Sequence, residues 1–414
     1  MNSETVDLIA TDPPFNKGKD FHATPDSLAA GAKFQDRWSW ADDIEGDWID
    51  QLEDDWPDVW HVIGAARSSW GDDLGAFLCF MAVRLVEMHR ILKLTGSIYL
   101  HCDPTASHYL KQLMDAIFGR KQFRNEVVWC YRGGGVPRNA FARKHDLLLF
   151  YAAGRDNTFH RQHVPYSEAS QALVSSRGGV SIDGRERDLE RGASMPDWWT
   201  DINSLQTWSP ERYGYPTQKP LPLYERIIAA SSDPGDIVFD PFCGCATTPV
   251  AAERQGRQWV GIDIWDRAHQ AVLDRMQAET LAVPDADATD DRLFTFGEVT
   301  YANAPPARTD DGETAAPFLQ VTERVQEPDG PRWTRAQMYE HLVAQHGRVC
   351  QGCDRIFDDE RYLQLDHNTP RADGGINHIS NRVLLCGPCN QLKSNIYTLS
   401  GLRRQNRKLG YMSS

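Results

Sequence analysis

Val6-Asp7-Leu8-Ile9-Ala10-Thr11, running into Asp12-Pro13-Pro14-Phe15, is the stretch that decides how the chain is read. The apolar run has the length and β-branched content of a buried strand, and the paired prolines end it. Prolines fix φ and remove N–H donors, so the turn presents carbonyl oxygens with few competing donors. Asp12 adds a carboxylate acceptor, and Phe15 offers an aromatic face on which a base turned out of its stack can lie. That set suits an exocyclic amino group. Its nitrogen is a poor nucleophile while conjugated to the ring, and acceptors on both hydrogens free its lone pair. Taken alone, four residues are better served by a strand followed by a proline-rich turn, so the rest of the chain must decide.

Residues 16–75 read as an acidic, tryptophan-rich loop holding Trp38, Trp40, Trp48, Trp56, Trp60 and Trp70. Core packing beneath the loop is the simplest use for most of these rings. From Leu74 to Leu92 the apolar residues Leu78, Met81, Leu85 and Met88 recur at helical spacing. Gly96–His101 reads as a strand, 106–118 as a helix, and Asn125–Tyr131 and Asp146–Tyr151 as two more strands. This alternation predicts a doubly wound α/β sheet. Further on, Gly235–Asp240 is a strand running into Pro241-Phe242-Cys243-Gly244-Cys245-Ala246-Thr247-Thr248, and Trp259–Asp263 is the next strand. Ligands bind at such carboxyl ends.

Asp12-Pro13-Pro14-Phe15 resembles the catalytic motif of the amino-methylating DNA methyltransferases, and the 240–248 segment resembles their S-adenosylmethionine loop. With the catalytic motif first, the order is similar to the permuted β group, over roughly residues 1–280. The resemblance implies catalysis by Asp12, Pro13, Pro14 and Phe15. It implies cofactor binding by Lys219, Asp240, Phe242, Gly244 and Thr247, with Asp263 accepting from the ribose hydroxyls. The leading Asp and the Phe are more typical of adenine-N6 than of cytosine-N4 enzymes. Ala246 stands where the family usually has a third glycine, and its methyl fits there if φ is negative.

The resemblance also divides the chain: a catalytic half at 1–131, a target-recognition insertion at 132–215 with 146–151 returning to the sheet, and a cofactor half at 216–282. The insertion is arginine-bearing, and arginine commonly reads guanine in the major groove. Relatives of this arrangement carry a Gly-Asp segment before the Asp-Pro-Pro strand, whereas Met1 falls almost on that strand. Either Leu293–Val299 supplies the neighbouring strand or the N-terminus is shortened, and the second is expected here, because the first runs straight into a Pro-bearing acidic linker.

With 414 residues, 41% hydrophobic, the chain can build two or three domains with cores of their own. Neither a signal peptide nor a membrane-length apolar run stands out, which predicts a soluble intracellular protein with no membrane partner, and the resemblance implies the cytoplasm of a prokaryote or a phage-encoded protein. The net charge of −14 argues at first against DNA. It is uneven, however. Residues 36–73 carry twelve acids against two arginines and 283–330 read as an acidic linker, while 331–414 carry twelve basic residues against seven acids. Local fields therefore decide the partner, and double-stranded DNA remains open to the chain. The sequence leaves the oligomeric state, a dimer included, undecided.

Four of the nine cysteines form two C-x-x-C pairs, Cys350/Cys353 and Cys386/Cys389. That is zinc spacing with no open position, so the metal is expected to be structural within 331–414. Between the pairs lies Leu363-Gln364-Leu365-Asp366-His367, followed by Asn381 and Asn390. This resembles the HNH endonucleases, whose fold is ββα-metal. The resemblance implies Asp366 and Asn390 as ligands of Mg²⁺ or Mn²⁺, His367 as general base and Asn381 as the group orienting the water. The leading reading is an adenine-N6 methyltransferase fused to a nuclease for restriction–modification. Two others stand beside it: a DNA methyltransferase whose zinc domain only binds DNA, and a DNA-binding protein with both sites degenerate.

Overall fold

The computed structural model describes residues 1–133, 135–176, 190–206, 208–282, 299–302, 333–369, 375–393 and 397–412. β1 (Val6–Thr11) is central in a seven-stranded sheet. Its other strands are β2 (Leu92–Cys102), β3 (Phe123–Cys130), β4 (His145–Ala152), β5 (Trp198–Trp199), β6 (Ile237–Asp240) and β7 (Gln258–Gly261), in the order β7-β6-β1-β2-β4-β3-β5. β1 runs parallel to both β6 and β2. A register shift between Val6 and Leu8 sends Val6 and Ile9 into one core, while Leu8 and Ala10 enter the other. Burial on both faces is why the strand is a continuous apolar run.

The sheet is mixed, which the doubly wound expectation did not include. β4 is antiparallel to β2 and β3. The link from β3 to β4, residues 131–144, contains no crossover helix among its described residues, and antiparallel neighbours need none.

Residues 16–75 are not the loop expected from their sequence. They contain α1 (Gly46–Asp55) and α2 (Pro57–Trp70), followed by α3 (Asp72–Ile91). Trp48 and Leu52 are one turn apart on the buried side of α1, and Val59, Ile63 and Ala66 do the same for α2. The density of Asp and Trp hides that period. Pro57 takes the first position of α2, where its missing N–H costs nothing. Trp38 lies 3.9 Å from the Phe80 ring, and Trp40 is 6.2 Å from Trp60, so these rings pack. α4 (Ser107–Phe118) completes this layer. α5 (Leu221–Ser231), α6 (Thr247–Arg254) and α7 (Ala268–Ala282) follow on the chain, and α5 and α6 cover the other face.

The insertion contributes β5, parallel to β3, and the Trp129 indole donates to the Ile202 carbonyl at 2.8 Å. The C-terminal region has its own core around β8 (Leu363–His367) and β9 (Arg382–Cys386). They are flanked by α8 (Arg335–His346), α9 (Gly387–Lys393) and α10 (Leu399–Lys408). The strand expected at Leu293–Val299 lies outside the described residues but for its last position, as does nearly all of the 283–330 linker. Among the described residues no helix is long and apolar enough to cross a membrane.

Asp240, the last residue of β6, ties the sheet together. Its carboxylate accepts from the Thr11 hydroxyl at 2.7 Å, the Thr248 hydroxyl at 2.6 Å and the Phe242 N–H at 3.1 Å. Burial pushes its carboxyl up to about 7. The folded protein thus holds a proton that the unfolded chain, near 3.8, has released. That stability is fully present below the unfolded value and is lost as pH rises through about 7. In Asp240→Asn the amide can donate to the Thr248 hydroxyl, whose own proton then turns to the Ala10 carbonyl 3.2 Å away. Melting measured across this range should show the native protein losing about 4 kcal/mol that the Asn variant keeps. Parallel pH curves for the two would contradict this.

Candidate active sites

The Asp12–Phe15 turn leaves β1 beside the loop that leaves β6. Asp12 Oδ2 accepts from the Lys219 ammonium at 2.5 Å, while Oδ1 is buried with no hydrogen-bond partner. Lys219 lies 5.1 Å above the Phe15 ring, and that ring stacks on buried His101 with centroids 5.8 Å apart. Pro13 is buried and Pro14 half-buried beside them. The turn is clamped from outside: the N–H groups of Asn16 and Lys17 donate to the Asp36 carboxylate at 2.5 and 3.1 Å. Asn16 sits at φ +59°, which the clamp holds in place. Burial raises the Asp36 carboxyl to about 6.

Behind Phe15 a polar network fixes His101. Its Nε2 is 3.1 Å from Asp146, whose other oxygen accepts from the Tyr131 hydroxyl at 3.1 Å. Burial pushes the Asp146 carboxyl up, and its hydrogen bond with His101 and the nearby cations more than reverse that. Lys17 pairs with Asp103 at the end of β2. Asp36, His101, Asp103, Tyr131 and Asp146 all escaped the sequence reading. Only the strand-end positions of His101 and Asp103 carried a signal.

Across from the turn, Asp263 accepts from the Gly244 and Trp265 N–H groups, each at 2.8 Å. A carboxylate offers about four lone-pair positions, so about two remain for hydroxyl donors. Burial raises this carboxyl. Gly244 has φ +49°, and a Cβ there would meet the Tyr215 ring at 2.9 Å. Phe242 packs on the first core, and Thr247 is buried with Arg275 3.1 Å from its hydroxyl. Ala246 does not meet the condition under which its methyl is unstrained: its φ is +70°. The alanine keeps the left-handed shape that glycine adopts without strain, at a cost of about 1 kcal/mol. These groups fit a nucleoside bearing a ribose diol: a carboxylate with spare acceptors beside a backbone cradle that a side chain would fill.

In the C-terminal region the Sγ atoms of Cys350, Cys353, Cys386 and Cys389 all lie within 4.8 Å of one another. The Cys353–Cys386 separation is 3.9 Å. A tetrahedron with Zn–S of about 2.3 Å has an edge of about 3.8 Å, so the donors fit zinc. The Cys389 thiol, together with backbone N–H groups, draws the Cys350 thiol down to about 5. Asn406 donates to Cys389 Sγ at 3.4 Å.

β8 delivers Asp366 and His367 opposite β9, with His367 paired to Arg382. His367 is fully buried, its Nδ1 2.5 Å from Asp55 and 3.2 Å from Arg382. Lys393 lies 3.0 Å from Asp366. Burial pushes the Asp55 carboxyl up, and His367, Lys393 and Arg382 bring it below its ordinary value. Asn390 donates to Gln364 at 2.6 Å. Asn381 is held within the loop after His367. Its amide accepts from the Thr369 N–H at 2.8 Å and donates to the carbonyls of Thr369 and Ile376, so it organises the loop after His367.

The family model for the DNA methylases matches residues 6–274. The chain is a DNA methylase of that family. A second model, for HNH endonucleases, matches residues 350–395 of the methylase. The chain is 26% identical over 280 residues to the type II methyltransferase M.HpaI of Haemophilus parainfluenzae, covering 67% of this chain and 70% of that protein. It is 29% identical over 273 residues to the DNA adenine methyltransferase YhdJ of Escherichia coli strain K12, covering 63% and 73%. Among solved structures, the M1.HpyAVI–SAM complex overlaps with TM-score 0.36 and 17% identity, over 66% of this chain and 89% of that one.

Zinc analysis of the reduced, purified full chain should find one metal per chain, and Cys389→Ser should lose it. A metal-free native protein that melts no differently with and without a chelator would contradict a structural zinc.

Proposed function

We propose that this methylase transfers a methyl group from S-adenosylmethionine to N6 of adenine in double-stranded DNA. The observation that carries the reading is the Asp12 carboxylate, with one buried oxygen unpartnered, set against Phe15 and beside the Gly244–Asp263 cradle. The cofactor supplies an electrophilic methyl on a sulfonium. Asp263 would take the ribose hydroxyls, with Gly244, Phe242 and Thr247 shaping the cradle and Asp240 bracing it from behind. Asp12 Oδ1 and the Pro13 carbonyl would accept the two amino hydrogens, Pro14 would keep the turn rigid, and Phe15 would stack on the base. Lys219, which holds Asp12 Oδ2, positions that carboxylate. The Asp–Phe form of the motif and the similarity to an adenine methyltransferase support adenine over cytosine.

The HNH match and the type II names of the relatives support a place in restriction–modification in a bacterial or phage-infected cytoplasm. Residues 132–215 would read the target. The 331–414 region would be a zinc-held nuclease, with Asp366 and Asn390 holding Mg²⁺ or Mn²⁺ and His367 as base. A second reading, in which the zinc domain only binds DNA, is favoured by one observation: His367 and Asp366 are already engaged, by Asp55 and Lys393.

Duplex DNA incubated with the full chain and cofactor, then digested to nucleosides, should contain N6-methyladenine. Asp12→Ala should lower transfer by about a thousandfold while S-adenosylmethionine binding changes little. N4-methylcytosine as sole product would overturn the base assignment. Plasmid methylated beforehand by the same chain should resist cutting with either metal. Equal cutting of methylated and unmethylated plasmid would contradict the restriction–modification pairing.

A further inference from the structure

The candidate nuclease site is covered by the methyltransferase domain of the same chain. Asp55 closes α1, and its side chain is 1% exposed where it meets fully buried His367 at 2.5 Å. Donor atoms of Asp55, Asp366 and His367 lie within 4.8 Å of one another, so the group resembles a cation site. Asp55, however, faces two cations. Arg382 is 3.2 Å from His367 and Lys393 is 3.0 Å from Asp366, and both act on the Asp55 carboxyl. Two cations in one buried pocket favour an anion at the Asp55 position, beside the metal ligand Asp366. Arginine and lysine beside a general base are also what a scissile phosphodiester requires, since its oxygens accept from both and the base must lie next to it. In this structure the anion in that position is the Asp55 carboxylate, which like a phosphodiester brings one negative charge and two acceptor oxygens.

A second contact pins the same two domains. The Tyr397 hydroxyl donates to the Glu4 carboxylate at 2.5 Å. The charge pattern fits too. Asp54 and Asp55 at the end of α1 both lie near enough to act on Arg382, in a region that is itself basic.

We propose that His367, Arg382 and Lys393 form the phosphodiester position of the nuclease, and that Asp55 fills it as an internal stand-in for the scissile phosphate. The nuclease is therefore closed by the methyltransferase domain, and cleavage requires Asp55 to leave. This rests on the nuclease reading above, and the test separates the two.

The full chain is compared with Asp55→Asn, which keeps the shape and removes the charge, and with Asp55→Lys, which repels the pocket. Folding is checked by methyl transfer, in which Asp55 has no part. Nicking of unmethylated supercoiled plasmid with Mn²⁺ should rise by about tenfold or more in both variants, and His367→Ala in the Asp55→Asn background should abolish it. If the native chain and both variants nick at one rate, or the variants nick more slowly, the closing role is overturned while the nuclease reading stands. If none nicks DNA, the nuclease reading fails, and carbethoxylation of His367, followed by mass spectrometry, decides the closure. Protection in the native chain and modification in the variants supports it. Equal modification in all three overturns it.

Discussion

A buried carboxylate holds this methylase domain in register. Asp240 joins a hydroxyl from the end of β1, 229 positions away in the chain, to one from the start of α6. The loops that carry the candidate site leave from these points: the Asp12–Phe15 turn from β1 and the Gly244 cradle from β6. Neither loop has regular structure to fix its separation from the other. Because the adjacent strands are parallel and paired, Leu8 with Val238 and Ile9 with Phe239, both loops must open at the same edge. The carboxylate sets how they enter that edge, and its burial raises its proton affinity.

From that edge outward, each reactive group is held by a neighbour of opposite character. The Lys219 ammonium sits on Asp12, Asp36 receives the backbone of the turn, and His101 is pinned beneath Phe15 by Asp146. Such supports keep the first groups within small tolerances of a reactive geometry. The same logic recurs in the C-terminal domain. There four thiols define the frame, and the hydrogen-bonding side chains of Asn381 and Asn406 fasten the segments beside it.

Much of this was legible in the sequence wherever a local pattern decides the structure. The β1 run, the helix from Asp72 to Ile91 and the two C-x-x-C pairs each carry their own period or spacing, and the structure repeats them. What the sequence hid has a physical reason in each case. α1 and α2 bury few residues per turn, so their period was lost among acids and tryptophans. The antiparallel placing of β4 depends on a connection, not on the strand's composition. A methyl at Ala246 would be unstrained at negative φ, yet the loop imposes +70°. Asp36, Asp146 and Asp55 act on residues far along the chain, and an isolated aspartate announces nothing about its partner.

The two domains thus hold a candidate site at the carboxyl ends of β1 and β6 and a nuclease-like cluster met by Asp55 of the same chain. The central claim is that the first site receives an extruded adenine between Asp12 and Phe15. A crystal structure of the full chain with S-adenosylhomocysteine and a duplex containing its target tests this most directly. The adenine should be rotated out of the helix, with N6 about 3 Å from Asp12 Oδ1 and the Pro13 carbonyl, and its ring on Phe15. A target base still stacked in the duplex, or a cytosine in that pocket, would contradict it.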